Sequence, residues 1–252
     1  MIFATFYRGF VLAELGRLRE ARADLEEAVR LAREHDDVEC LGWAKQGLAV
    51  LSYSTGEPGD GLGHAREGLE LAERLGSSFL RALARSSLSL AHLAREEHDD
   101  ALATAEEGLE IMRETRTGLQ YEAVLLRELA AARLGLDDVE GARAAATEGA
   151  ATAAARGASI QEAGCRVMLG RALLTERPGD ARAELERALK LAGADGPVLT
   201  PHVLLALAEL AGLQGDERER LRRLEHAHRL FEQQGATGHA RRVAADIATA
   251  AA

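Results

Sequence analysis

The side chains best suited to chemistry in this 252-residue chain fall into four groups. The stretch GEPGDGLGH, residues 56–64, has the glycines of a phosphate-cradling loop. Such a loop closes on Lys and Ser or Thr, which reach the phosphates and the magnesium. Here His64 and Ala65 follow the last glycine. Two runs, His35-Asp36-Asp37 and His98-Asp99-Asp100, carry metal-ligand types, but Asp and His are also ordinary helix caps and turn residues. His226 and His228 stand two apart on a predicted helix, so they diverge, unlike an i, i+4 pair sharing a metal. The two cysteines, Cys40 and Cys165, are too few for a disulfide framework or a Cys-based zinc site. Neither has a His or Asp in its own helix to activate a thiolate, so both are expected in the core. No catalytic, cofactor-binding or metal-binding residue is assigned, and the chain is read as a non-enzyme.

The elements that carry these residues form a repeat. The segment EARADLEEAVRLARE (20–34) recurs as DGLGHAREGLELAER (60–74), DALATAEEGLEIMRE (100–114), GARAAATEGAATAAA (141–155), DARAELERALKLAGA (180–194) and ERLRRLEHAHRLFEQ (219–233). One column reads Ala28, Gly68, Gly108, Gly149, Ala188, Ala227, and three places on another reads Leu31, Leu71, Ile111, Thr152, Leu191, Leu230. The first lets helices approach closely, and the second supplies a buried knob one turn along. A period of about 40 residues with a small column and a large one marks a stacked helical array. Gly16, Gly56 and Gly215 open equivalent turns, and Pro58-Gly59-Asp60 and Pro178-Gly179-Asp180 lie three periods apart. First helices are predicted at 2–14, 39–54, 78–95, 119–134, 159–174 and 202–213. An amphipathic segment at 237–252 is expected as a capping helix without a partner. The fold class is all-α: a right-handed α-solenoid of six antiparallel helix pairs plus that cap, one domain over 1–252.

The local pattern resembles the tetratricopeptide repeat. Gly9, Leu12, Gly16, Ala21, Leu25 and Ala28 fall at that family's small, large and small positions. The family's usual Trp and Tyr are absent there, and the unit is 40 residues long instead of 34. The longer unit, and the closing run LFEQQGATGHARRVAADI (230–247), look like the C-terminal repeats of large bacterial LuxR-type and maltose-activator-type ATP-dependent regulators, or of NTPase-linked cyclases. The resemblance implies a concave groove lined by the first helices, where partner segments lie.

Eight of the nine aromatic residues lie at or before residue 121. Carrying the register across three units places Phe3, Trp43 and Leu83 in one column of the implied groove and Phe10, Val50 and Leu90 in another. A third holds Ala13, Tyr53 and Leu93. With Phe6 and Tyr7, these make Phe3, Phe6, Tyr7, Phe10, Trp43, Val50, Tyr53, Leu83 and Leu90 the candidate partner-binding residues.

Charge narrows the partner. The chain carries a formal −10, and its first 126 residues hold 14 basic and 23 acidic side chains against 17 and 18 in the rest. An acidic chain lacks the basic patch that phosphates require, so no nucleic acid is expected. An apolar, acid-rimmed groove suits a protein or peptide with apolar anchors and some basic residues. Lys45 is the only lysine on a first helix and there is no Asn, which disfavours the carboxylate clamp of chaperone-tail binders. The apolar start falls short of the ~20 residues of a membrane span and lacks the basic flank of a secretory signal. No membrane is expected, and the reading is cytoplasmic.

The first helix is apolar on nearly every side, since Phe3, Phe6, Tyr7 and Phe10 form one stripe and Ile2, Val11 and Leu12 occupy other faces. Such a helix belongs between neighbours. Further N-terminal repeats or a fused module, self-association through this helix, or a partner are expected to cover it. The alanine-rich ARAAATEGAATAAARG (142–157) buries methyls where other units bury leucines, which makes the fourth unit the expected soft point.

Overall fold

The computed structural model describes residues 1–195 and 197–250. Among these residues thirteen α-helices follow one another. They are α1 (Ile2–Glu14), α2 (Leu18–Glu34), α3 (Val38–Thr55), α4 (Gly61–Leu75), α5 (Ser78–Leu93), α6 (His98–Thr115), α7 (Glu122–Gly135), α8 (Val139–Ala155), α9 (Ser159–Leu173), α10 (Pro178–Asp195), α11 (Thr200–Leu213), α12 (Glu217–Gln234) and α13 (Thr237–Ala250). The fold is all-α, six antiparallel pairs with α13 after the sixth. The fourth first helix differs from expectation at its start, where a 3₁₀ turn over Leu119–Tyr121 precedes α7.

Local chemistry sets the boundaries. Gly16, Gly56 and Gly215 end first helices at φ of +72°, +69° and +74°, a conformation that costs glycine little. At three junctions a left-handed residue is followed at once by a capping aspartate. Asp37 accepts from the Cys40 amide at 2.9 Å, Asp138 from Gly141 at 2.9 Å and Asp216 from Glu219 at 3.0 Å. His35-Asp36-Asp37 is therefore a turn and a cap, and the Cys40 amide holds the Asp37 carboxyl below its ordinary range.

The small column does what its residue types suggest. Ala28, Ala188 and Ala227 are fully buried, as are the faces of Gly68, Gly108 and Gly149. A Cβ on Gly149 would sit 2.7 Å from the Cys165 sulfur, and one on Gly108 3.1 Å from a Leu125 methyl. Successive first helices also touch one another: α1 meets α3, α3 meets α5, α5 meets α7 and α7 meets α9. Both cysteines are free and buried, and the Cys165 thiol donates to the Ala123 carbonyl at 3.3 Å.

The two ends of the array meet. One apolar cluster contains Phe6, Leu18, Leu25 and Leu51 together with Leu204, Phe231, Ala240 and Val243. Arg242 donates to the Gly56 carbonyl at 3.1 Å, His239 Nε2 pairs with the Tyr53 carbonyl at 3.0 Å, and Thr237 and Arg241 donate to Glu57 at 2.6 and 3.0 Å. A Cβ on Gly16 would meet the Gln234 side chain, and one on Gly235 the Arg19 side chain. The helix expected to cap a free end instead packs against α3 and its following turn. The first two residues of the glycine-rich segment, Gly56 and Glu57, thus form part of the platform on which α13 docks.

Candidate functional site

The first helices face one another across a central space. Burial, with smaller contributions from Tyr7 and Glu14 of α1, pushes up the hydroxyl pKa of Tyr121, just before α7. The Arg127 guanidinium of α7 bears on Glu14 of α1 and on His202 of α11. Helices three and two units apart exchange electrostatic influence in this way when their inner faces converge. The inner wall is therefore the surface enclosed by α1, α3, α5, α7, α9 and α11.

On α3 the partly exposed residues Glu39, Trp43, Gly47, Val50 and Ser54 share one helical stripe. The stripe on α1 at the equivalent register is Phe3, Tyr7, Phe10 and Glu14. Phe3 and Tyr7 are 56 % exposed and Phe10 is 38 % exposed. Trp43, Val50, Tyr53 and Leu83 are half-buried. Phe6 and Leu90 turn the other way, at 7 % and 3 % exposure, and belong to the core. The structure thus divides the sequence-derived set into seven residues at least partly exposed and two that are buried. An aromatic ladder ties the units together, with ring centroids 5.7 Å apart for Phe6–Trp43, 5.7 Å for Trp43–Phe79 and 6.1 Å for Phe79–Tyr121. Such pairs prefer offset or tilted geometry at 4.5–7 Å.

The other half of the wall is charged. Arg171 of α9 makes a two-pronged pair with Glu209 of α11, both contacts at 3.1 Å. His202 stands at the closure, edge-on to Phe231 at 5.1 Å and to His239 at 4.9 Å. Burial, His239 and the guanidiniums of Arg127, Arg171 and Arg242 keep its imidazole neutral. Burial also lowers His239 to about 4 despite its bond to the Tyr53 carbonyl. Its Nε2 then donates to that carbonyl while Nδ1 accepts from Arg242 at 2.8 Å.

Glu128 is the buried acid that sequence reasoning missed. It has no solvent exposure, its Oε1 accepts from Ser86 at 2.7 Å, and its Oε2 has no partner. Burial raises its pKa to about 8 against the opposing pull of Arg127 and Ser86, so it is protonated at neutral pH. Its position one place from Arg127 was plain, but its burial depends on how α5 and α7 pack.

The remaining motifs disperse or resolve into pairs. Asp100 from the second His-acid run approaches His92 and Glu97, and their ligand atoms lie within 4.8 Å. A 2.7 Å contact between His92 Nδ1 and Glu97 and the Arg95–Glu97 pair account for that closeness. His226 joins no such group, and Lys45 is turned from the inner wall toward Glu67 of α4, at 2.6 Å. No helix among the described residues is long and apolar enough to cross a membrane.

Comparison with known proteins places this geometry. The family model of anaphase-promoting complex subunit 5 matches residues 2–54. No curated protein matches. Among solved structures, a Rap protein complexed with Competence and Sporulation Factor superposes with a TM-score of 0.69 at 15% identity, covering 99% of this chain and 74% of its own. Aspartyl phosphate phosphatase F from Bacillus subtilis gives a TM-score of 0.64 at 10% identity, with 99% and 70% covered. A signal transduction ATPase with numerous domains (STAND) from Pyrococcus horikoshii, bearing a tetratricopeptide repeat sensor, gives 0.57 at 17% identity. The match covers 90% of this chain and 35% of that one, so this chain spans about a third of the STAND protein. The fold is a tetratricopeptide-like helical repeat array.

Proposed function

We propose that the array is a non-catalytic interaction module that holds a protein or peptide segment along its inner wall. Phe3, Tyr7, Phe10, Trp43, Val50, Tyr53 and Leu83 are the contact residues of that reading, with Phe6 and Leu90 as their support. One observation carries it. Three aromatic side chains on α1 stay 38–56 % exposed on a stripe that faces Tyr121 and Arg127 across the central space. Large aromatics that are exposed yet enclosed on a concave wall are the anchors that peptide grooves use. The partner segment brings apolar anchors to this stripe and basic residues to Glu14 and Glu39 beside it. A similar fold was solved with a bound factor in the Rap complex, which supports the reading by likeness of fold.

A library of random dodecapeptides displayed on phage, selected on the purified chain, tests this. Enriched peptides are expected to carry aromatic or aliphatic residues and to shift the emission of Trp43, the single tryptophan. Phe10→Asp and Tyr7→Asp are expected to weaken them at least tenfold. Unchanged binding to both variants would overturn the proposal.

The likeness to the STAND sensor favours a second reading, a regulatory module within a larger ATP-dependent protein. There the exposed Val11 and Leu15, at the C-terminal end of α1, form a joint with a preceding module. A small effector that raises the melting temperature without any peptide distinguishes it.

A further inference from the structure

Arg127 departs from a rule that the other sheltered arginines keep. Among the described residues, arginines with little-exposed side chains run from Arg166, at 9 %, to Arg81, at 35 %. Apart from Arg127, each has a carboxylate within 3.3 Å. Arg127 is 23 % exposed, lies 3.9 Å from its nearest carboxylate and makes no hydrogen bond to a described residue. A guanidinium this far from water ordinarily needs a partner, because its five N–H groups are expensive to leave unpaired.

The groups around it do not supply one. Glu128 is the carboxyl at 3.9 Å, and in its protonated state it carries no charge to offset the guanidinium. Cys165 of α9 is a thiol, its pKa pushed up to about 11 by burial. His202 of α11 is neutral. Glu14 of α1 faces Arg127 from the opposite wall but forms no ion pair with it. Gly164 of α9 makes room for the side chain, since a Cβ there would sit 2.9 Å from Arg127 Cδ. The cation is therefore seated against α9, kept free of an ionised neighbour and left open toward the central space.

We infer that Arg127 anchors a carboxylate of the segment held on the inner wall. The inference rests on the reading in the preceding section. It adds that the ligand is bipolar, with apolar anchors on α1 and α3 and an acidic group reaching α7. Planar guanidinium and planar carboxylate match in a two-pronged pair, stronger than a neutral hydrogen bond.

The same phage selection tests it, run in parallel on the wild-type chain, Arg127→Gln and Arg127→Lys. The expected result is an Asp, a Glu or a terminal carboxylate at a fixed distance from the apolar anchor. Synthetic copies of the enriched peptide with free and amidated C-termini distinguish a chain terminus from a side chain. Replacing the acid by its amide should weaken binding to wild type by about tenfold or more and leave binding to Arg127→Gln unchanged. If Arg127→Gln fails to fold, as judged by its melting curve, the acid-to-amide comparison on wild type and Arg127→Lys decides. An acidic motif that survives in Arg127→Gln, or enriched peptides without an acid, overturns this inference alone. No enrichment on wild type overturns the groove reading as well.

Discussion

The inner wall of the first three helix pairs and that of the last three come from one repeat and present opposite chemistry. On α1, α3 and α5 the stripe carries Phe3, Tyr7, Phe10, Trp43 and Leu83 beside Glu14 and Glu39, while on α7, α9 and α11 it carries Arg127, Arg171 and Glu209, with the neutral His202 at the closure. The difference shows which positions the fold constrains. Ala28, Gly68, Gly108, Gly149, Ala188 and Ala227 stay small because neighbouring helices press against them. The inner stripe meets its neighbours only through side chains, as in Trp43 against Phe6 and Phe79 or Arg171 against Glu209, so it is free to become aromatic in one half and charged in the other.

The largest effect should come from breaking the seam between the halves. Phe231 is fully buried between His202 and His239, at 5.1 and 5.0 Å. Phe231→Ala is expected to cost about 3–5 kcal/mol, read as a lower melting midpoint, because it removes the shared core of both ends. An unchanged midpoint would mean that the ends are not held together in solution.

Glu128 sharpens the comparison next, since it sets the charge behind Arg127. Its pKa is raised from 4.5 to about 8 on folding. The folded state therefore binds the extra proton between those values, and stability falls as pH rises through that window. Its protonated neighbours in this range, the Cys165 thiol and the Ser86 hydroxyl, do not titrate with it. Glu128→Gln should remove the slope and gain about 1–3 kcal/mol at pH 7. Denaturant midpoints at pH 5, 7 and 8.5 would show it, and a wild-type curve flat over that range would contradict it.

The fourth unit tests whether stability differs between the halves. All the buried residues of α8 are alanine or glycine, whereas α2 buries Leu18, Leu25, Val29 and Leu31. Burying a leucine contributes about 1.5–3 kcal/mol, and a methyl far less. Native-state hydrogen exchange should find α8 less protected than α2. Equal protection would show that close packing compensates for the missing side chains. The smallest effect belongs to Phe3→Ser and Tyr7→Ser, exposed residues expected to leave stability within about 0.5 kcal/mol while weakening peptide binding.

Much of this architecture was legible in the sequence because it follows from short-range rules. The 40-residue columns located the first helices to within about three residues, and the left-handed glycines fell where the turns were expected. What was not legible depends on rotation accumulated over six pairs. No local pattern says that Thr237 and Arg242 will reach Glu57 and Gly56, some 180 residues away. Phe6 and Leu90 read as groove residues because the register does not say which side of each helix its neighbours cover, and both are buried in the core. Arg127 gave no signal because its distinction is the absence of a partner, which appears only when every neighbour is in place.

The central claim is that a ligand lies on the inner wall of the first three pairs. A benzophenone-bearing copy of an enriched peptide, photo-cross-linked to the wild-type chain and mapped by mass spectrometry, tests it most directly. Adducts at Phe3, Tyr7, Phe10, Trp43 and Val50 are the predicted result. Adducts on the outward faces of α2, α4 and α6, or spread evenly over the surface, would contradict it.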